Sequence, residues 1–177
     1  MGRKNLTWED VESVFSQGDT RYSIGDIDIV VDFFNSNALS LEEENISHIE
    51  VNDAMIQESY GKQKKQKAVA KQILKNKNYV FENYEYNLEY GVVDILAKNK
   101  ENKIIAIECG PCRVKKAIDY FRIKEVEELW IVQVYFNHER LYIIKRGPNW
   151  NKRIKEFDDA WLKILKSITS PLDTFKD

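Results

Sequence analysis

Two stretches decide how this chain is read. The first is Gly91-Val92-Val93-Asp94-Ile95-Leu96-Ala97. The second, Lys103-Ile104-Ile105-Ala106-Ile107-Glu108-Cys109, follows the polar turn Asn99-Lys100-Glu101-Asn102. Both runs are short, apolar and rich in β-branched residues, the mark of buried strands joined by a tight connection. Each carries one acid, Asp94 within the first and Glu108 near the end of the second. A lone carboxylate in an apolar strand is costly. On adjacent antiparallel strands the two acids would meet, and they would repel unless a cation lay between them. Oxygen-only ligation of that kind suits Mg²⁺. The plainer alternative for each acid is an exposed strand face or a lysine partner.

Working outward, residues 62–77 hold seven lysines and no acid. Val69 with Ile73, and Ala70 with Leu74, stand four apart, so the segment is a helix with one packing face and basic surroundings, ending near Asn76 to Asn78. Tyr79–Tyr86 is a strand. Beyond Cys109 the spacing of Val114, Ala117, Ile118 and Phe121 marks a helix. Leu129–Phe136 and Leu141–Lys145 are strands around a turn at Asn137–Arg140. After the break at Gly147-Pro148, Lys152–Ser167 is an amphipathic helix. From Gly61 the order is α-β-β-β-α-β-β-α.

The region before Gly61 is different in charge. Residues 1–60 carry 13 acids against three bases, a net of −10, while residues 61–177 carry 16 acids against 24 bases, a net of +8. Such a split fits either a polyanion-binding part beside a separate acidic part or ordinary solvated faces. Three Ser/Thr-x-x-acid spacings, Thr7 with Asp10, Ser23 with Asp26 and Ser40 with Glu43, mark helix starts in the acidic part. The segment from Ile24 to Phe34 also alternates like a strand and is assigned to helix. The expectation is therefore an acidic, mostly helical extension over 1–60 and an α/β core over 61–177.

Cys109-Gly110-Pro111-Cys112 is the Cys-Gly-Pro-Cys of thioredoxins, and a thiolate at a helix N-terminus would suit thiol-disulfide exchange. The surrounding order of elements is not that of thioredoxin, and Glu108 stands where a tryptophan is expected. With only two cysteines and with His48 and His138 far apart, a four-ligand zinc site lacks its donors. Two cysteines make no disulfide framework, which points to an intracellular, cytoplasmic setting. No apolar run approaches a membrane span, and Met1 to Trp8 lacks a secretory h-region.

The ordered combination of lysine helix, Asp94 strand, Glu108 strand, helix and strand resembles the PD-(D/E)xK nuclease superfamily, which includes type II restriction enzymes and archaeal Holliday junction resolvases. The likeness covers about residues 60–145. It implies a restriction endonuclease-like α-β-β-β-α-β core behind an N-terminal helical extension. The implied activity is metal-dependent DNA endonuclease or junction resolvase chemistry by a homodimer. The implied metal is Mg²⁺ or Mn²⁺, held by Asp94, Glu108 and the Cys109 carbonyl. Two departures stand out. Gly110 occupies the lysine position of Glu-x-Lys, and a Gln/Lys run around Gln63 to Lys67 replaces the acid on the first helix. In some members the lysine comes from the following helix, which here offers Lys116, with Lys115 beside it and Arg113 as a substitute. Lys64, Lys67, Lys71, Arg113 and Lys115 are the candidate phosphate contacts. Tyr84, Tyr86 and Tyr90 either stack on unpaired bases or pack the strands. If no lysine reaches the acids, the alternative is a nucleic-acid-binding protein on the same fold without activity.

Overall fold

A computed structural model describes residues 5–16 and 24–173. Six strands form one mixed sheet. β1 is Leu39–Asn45, β2 Val80–Leu88, β3 Gly91–Lys98, β4 Ile104–Cys109, β5 Val126–Tyr135 and β6 His138–Arg146. Their spatial order is β1-β6-β5-β4-β3-β2. Every pairing is antiparallel except β4 with β5. That parallel step needs a crossover, and residues between Cys109 and Val126 supply it.

Helices cover both faces. On one side lies α4, Lys64–Asn76, whose Val69, Ala70, Ile73 and Leu74 pack on Ile95, Ile105, Ile107 and Trp130. The i,i+4 pairs read from the sequence are the pairs that are buried. On the other side lie α1, Trp8–Phe15, α2, Ile24–Asn35, the short α5, Lys116–Asp119, and the first turns of α6, Trp150–Asp173. α3, Asp53–Glu58, packs beside α4 without burying a side chain completely. The β-strand alternation sorts residues between the two layers. In β4, Ile105, Ile107 and Cys109 face α4, so Glu108 points into the layer that holds α5.

Local chemistry explains several boundaries. Thr7 and Asp10 form the expected reciprocal cap at the start of α1. Ser23, the second expected cap, lies outside the described residues. The third is a correction: Ser40 to Glu43 lies in β1, not in a helix. Ser40 and Glu43 oppose Lys145 and Tyr142 of β6, and Glu43 accepts a charged hydrogen bond from Arg140 at 3.1 Å. Acids that would suit a first helical turn suit equally well a strand beside a basic partner, and only the partner distinguishes them. β1 also carries the sheet across the charge boundary at Gly61.

The helix expected over Val114 to Phe121 is shorter. It narrows to α5 and then a 3₁₀ turn, Tyr120–Arg122. Arg146 stitches this crossover to the sheet, its guanidinium donating to the carbonyls of Phe121, Ile123 and Val126. The break at Gly147 is steric: a Cβ there would lie 2.1 Å from the Asn37 carbonyl oxygen. No helix among the described residues is long and apolar enough to cross a membrane.

Candidate active site

The sheet register brings the two acids together. Ile95 opposes Ile107, and continuing that antiparallel register by one residue sets Asp94 opposite Glu108. The ladder between β3 and β4 begins at Ile95 and Ile107, and two residues beyond Ile107 the amide of Cys109 donates to Asp94 Oδ2 at 2.7 Å. Directly opposed residues have Cβ atoms about 5 Å apart, so the carboxylates are neighbours. The β2 register places Glu85, between Tyr84 and Tyr86, opposite Asp94. Three acids thus stand at matching positions of β2, β3 and β4, with the Glu85 carboxylate turned to α4 and that of Glu108 to α5.

Two lysines reach these acids from opposite faces. Lys116 Nζ meets Glu108 Oε1 at 2.6 Å and the Val92 carbonyl at 2.9 Å. Lys67 Nζ meets Glu85 Oε1 at 2.6 Å and the Tyr60 carbonyl at 2.6 Å. Glu108 is 4% exposed. Its burial raises its pKa to about 7; the Lys116 ammonium opposes the rise and the Asp94 carboxylate adds to it. The ion pair with Glu108 pushes the Lys116 ammonium well above its ordinary value, against the effect of its own partial burial. Tyr120, four residues after Lys116, points its hydroxyl at the same place, 3.5 Å from Glu108 Oε1 and 3.4 Å from Val92 O. Burial, reinforced by Glu108, pushes that phenol up to about 12.

Asp94, Glu108 and Lys116 are therefore assembled as the sequence suggested. The phosphate-contact set fares unevenly. Lys64, Arg113 and Lys115 are exposed. Lys71 is half-buried, its ammonium 4.7 Å from the Phe81 ring centre and 5.3 Å from that of Tyr84. Lys67 is a correction: at 1% exposure and locked to Glu85, it is an interior residue and not a surface contact. It lies on one helical stripe with Ala70 and Leu74, a signal that the surrounding lysines hide. Glu85 gave a weaker signal, and only the register shows it level with Asp94. Tyr84 packs against Phe81 and Tyr60, whereas Tyr86 and Tyr90 are exposed.

The thiol-exchange reading loses its physical premise. Cys109 ends β4, and the next helix starts only at Lys116, so neither cysteine stands at the N-terminus of the helix that follows it. Both are free, buried thiols. Burial first, then the nearby carboxylates, pushes both pKa values well above the ordinary thiol value. A reactive cysteine needs the opposite environment.

Comparison with known proteins finds no matching family model, no matching curated protein and no matching solved structure.

The donor set can be weighed on its own chemistry. Among the described residues no group of three or more His, Cys, Asp or Glu side chains is arranged to hold a metal ion. Mg²⁺ does not require such a cage: it is commonly held by one or two carboxylates, with waters and substrate phosphate completing its shell. Asp94 and Glu108 fit that role if Lys116 gives up Glu108 Oε1. Without a cation the ammonium supplies the positive charge that the two acids need.

Proposed function

We propose that this protein is a divalent-cation-dependent DNA endonuclease, in the manner of restriction enzymes and junction resolvases. The observation that carries the reading is the juxtaposition of Asp94 and Glu108 at the end of two central strands, with Lys116 reaching Glu108 from the following helix. The run α4-β2-β3-β4-α5-β5, with an antiparallel meander followed by a parallel step, supports a restriction endonuclease-like core. So does a lysine six residues beyond Gly110, the usual lysine position, whose ammonium arrives at the acid.

Asp94, Glu108 and the Cys109 carbonyl would hold Mg²⁺ or Mn²⁺. Such an ion, when bound, polarises the scissile phosphate and lowers the pKa of the attacking water. The chain's own residues do the positioning. The Cys109 amide fixes the Asp94 carboxylate. Lys116, freed from Glu108, balances charge growing on the phosphate oxygens and orients the water. Tyr120 and the Val92 carbonyl keep the ammonium beside Glu108 and limit its excursion. Lys64 and Arg113 lie on exposed surfaces from which they can neutralise flanking phosphates, so binding weakens as salt rises. A homodimer would supply two such sites for two strands.

The same contacts favour a second reading, a nucleic-acid-binding protein without activity, if Lys116 never yields Glu108. Incubating duplex, branched and single-stranded DNA with the protein in Mg²⁺, Mn²⁺ or EDTA separates the two. Cleavage that requires metal and falls at least about a hundredfold in Asp94→Ala and Lys116→Ala is expected. Retained binding with no cleavage of any substrate would establish the binding protein instead.

A further inference from the structure

Apart from Trp161 of α6, the exposed aromatics among the described residues lie at one end of the sheet. β3 begins where β4 ends, and β5 runs parallel to β4, so the β2–β3 and β5–β6 hairpin tips both flank Glu108 and Cys109. Tyr86 and Tyr90 are exposed on the first tip, Tyr135 and Phe136 on the second, and Tyr60 stands just before α4. Phe136 is 91% exposed.

Tyr135 is held in place. Its ring lies flat on His138, with centres 4.6 Å apart and planes within 9°. His138 Nε2 is 2.7 Å from Gln133 Oε1. Gln133 is 1% exposed, and its amide nitrogen donates to the Ser13 and Val14 carbonyls of α1. Its oxygen is therefore the acceptor, which fixes His138 as the Nε2–H donor. This is a buried amide and a ring used to fix one half-exposed tyrosine. Beside the tyrosine lies a cavity of about 420 Å³ lined by Tyr135, Gln63, Gln66, Gly110 and Pro111 among others. Gly110 is in the left-handed region, and a Cβ there would come within 3.3 Å of the Gln63 amide. Gln66 Nε2 donates to Val134 O, while its amide oxygen remains an acceptor.

We propose that this cavity is a nucleobase subsite: Tyr135 stacks an unpaired base, and Gln63 and Gln66 offer amide groups to its edge. Rings of any base stack on such a platform, and amides can meet a Watson–Crick edge only when that edge is unpaired. The subsite adjoins Gly110, two residues from Glu108, so the base it takes belongs to a nucleotide close to the reacting phosphate. The preferred substrate is then single-stranded DNA, or a branch with unpaired nucleotides, over an intact duplex. This rests on the nuclease reading above and narrows its substrate.

The test uses the full chain with Ca²⁺ in place of Mg²⁺. Its probes are a fluorescein-labelled oligothymidylate with one 2-aminopurine and a blunt duplex of equal length. The expected result is tighter binding of the single strand, with quenching of 2-aminopurine as it stacks. Tyr135→Ala should weaken single-strand binding about tenfold and abolish the quenching, with duplex affinity unchanged. Tyr135→Phe, which keeps the ring, should behave as wild type. Equal losses on both DNAs, or no loss on the single strand, would overturn the subsite. Wild-type binding to duplex alone would overturn it too while leaving the nuclease reading standing. No binding to either DNA, with no cleavage in Mg²⁺ or Mn²⁺, would overturn both.

Discussion

Glu108 is the residue on which the chemistry and the stability of this protein meet. Burial raises its pKa from the ordinary 4.5 to about 7, with Lys116 opposing and Asp94 reinforcing the shift. Between those two values the native protein holds a proton that the unfolded chain has lost. Stability from this site is thus fullest below about 4.5 and declines as pH rises toward 7. Lys116 stays charged across that window and adds no slope. In EDTA, Glu108→Gln should remove this decline, changing the difference in unfolding free energy between pH 5 and pH 7 by on the order of 2 kcal/mol. Urea titrations at the two pH values measure it, and an unchanged difference would mean that Glu108 titrates normally. At this scale the sequence was informative for Asp94 and Glu108, because an acid inside an apolar strand violates a simple burial rule. It was misleading for Lys67, because a lysine among lysines looks solvated.

At the scale of elements, α4 shows what a packed stripe can conceal. Its apolar pairs were legible from spacing, but Lys67 shares their stripe and carries a charge into the layer beneath. There it meets Glu85, which is itself about a third exposed and has a backbone φ of 48°. The two partners are therefore not equivalent. Removing Glu85 leaves a buried ammonium with the Tyr60 carbonyl and the Tyr84 ring, 5.8 Å away, as its neighbours. Removing Lys67 leaves an acid that water can reach. Glu85→Ala should destabilise by about 3 kcal/mol, and Lys67→Met by clearly less. Chemical denaturation of the two variants decides the order; a larger loss for Lys67→Met would show that packing of the lysine stem, not charge, holds the pair. β1 was misread for a related reason. Its backbone pairs with β6 and its Glu43 with Arg140 there, while Glu44 meets Lys77 beyond α4, and no local window contains these partners.

For the whole molecule, the charge boundary at Gly61 is not a boundary in the core. Val11, Val14, Phe15, Ile27, Val30, Phe33, Phe34 and Leu39 come from the acidic third, and they form much of one apolar layer with residues of β5, α5 and β6. β1 also pairs along the whole of β6. A fragment of residues 61–177 would expose that layer and a long strand edge. It should lack cooperative unfolding and bind a hydrophobic dye such as ANS, as loosely packed states do. A fragment with a sharp thermal transition and no dye binding would show that the core stands without its acidic third. Order and type of the central elements were legible because each is strongly periodic. The attachment of the first sixty residues was not, because it depends on contacts more than a hundred residues apart, such as Gln133 with Ser13 and Val14.

The proposed nuclease chemistry stands or falls with a divalent-cation site at Asp94 and Glu108. Titration of the full-length protein with Mn²⁺, followed by loss of the free-ion electron paramagnetic resonance signal, tests it directly. One bound ion per chain is expected, with affinity at least about tenfold weaker in Asp94→Asn and in Glu108→Gln. No bound Mn²⁺, or binding that neither substitution disturbs, would contradict it.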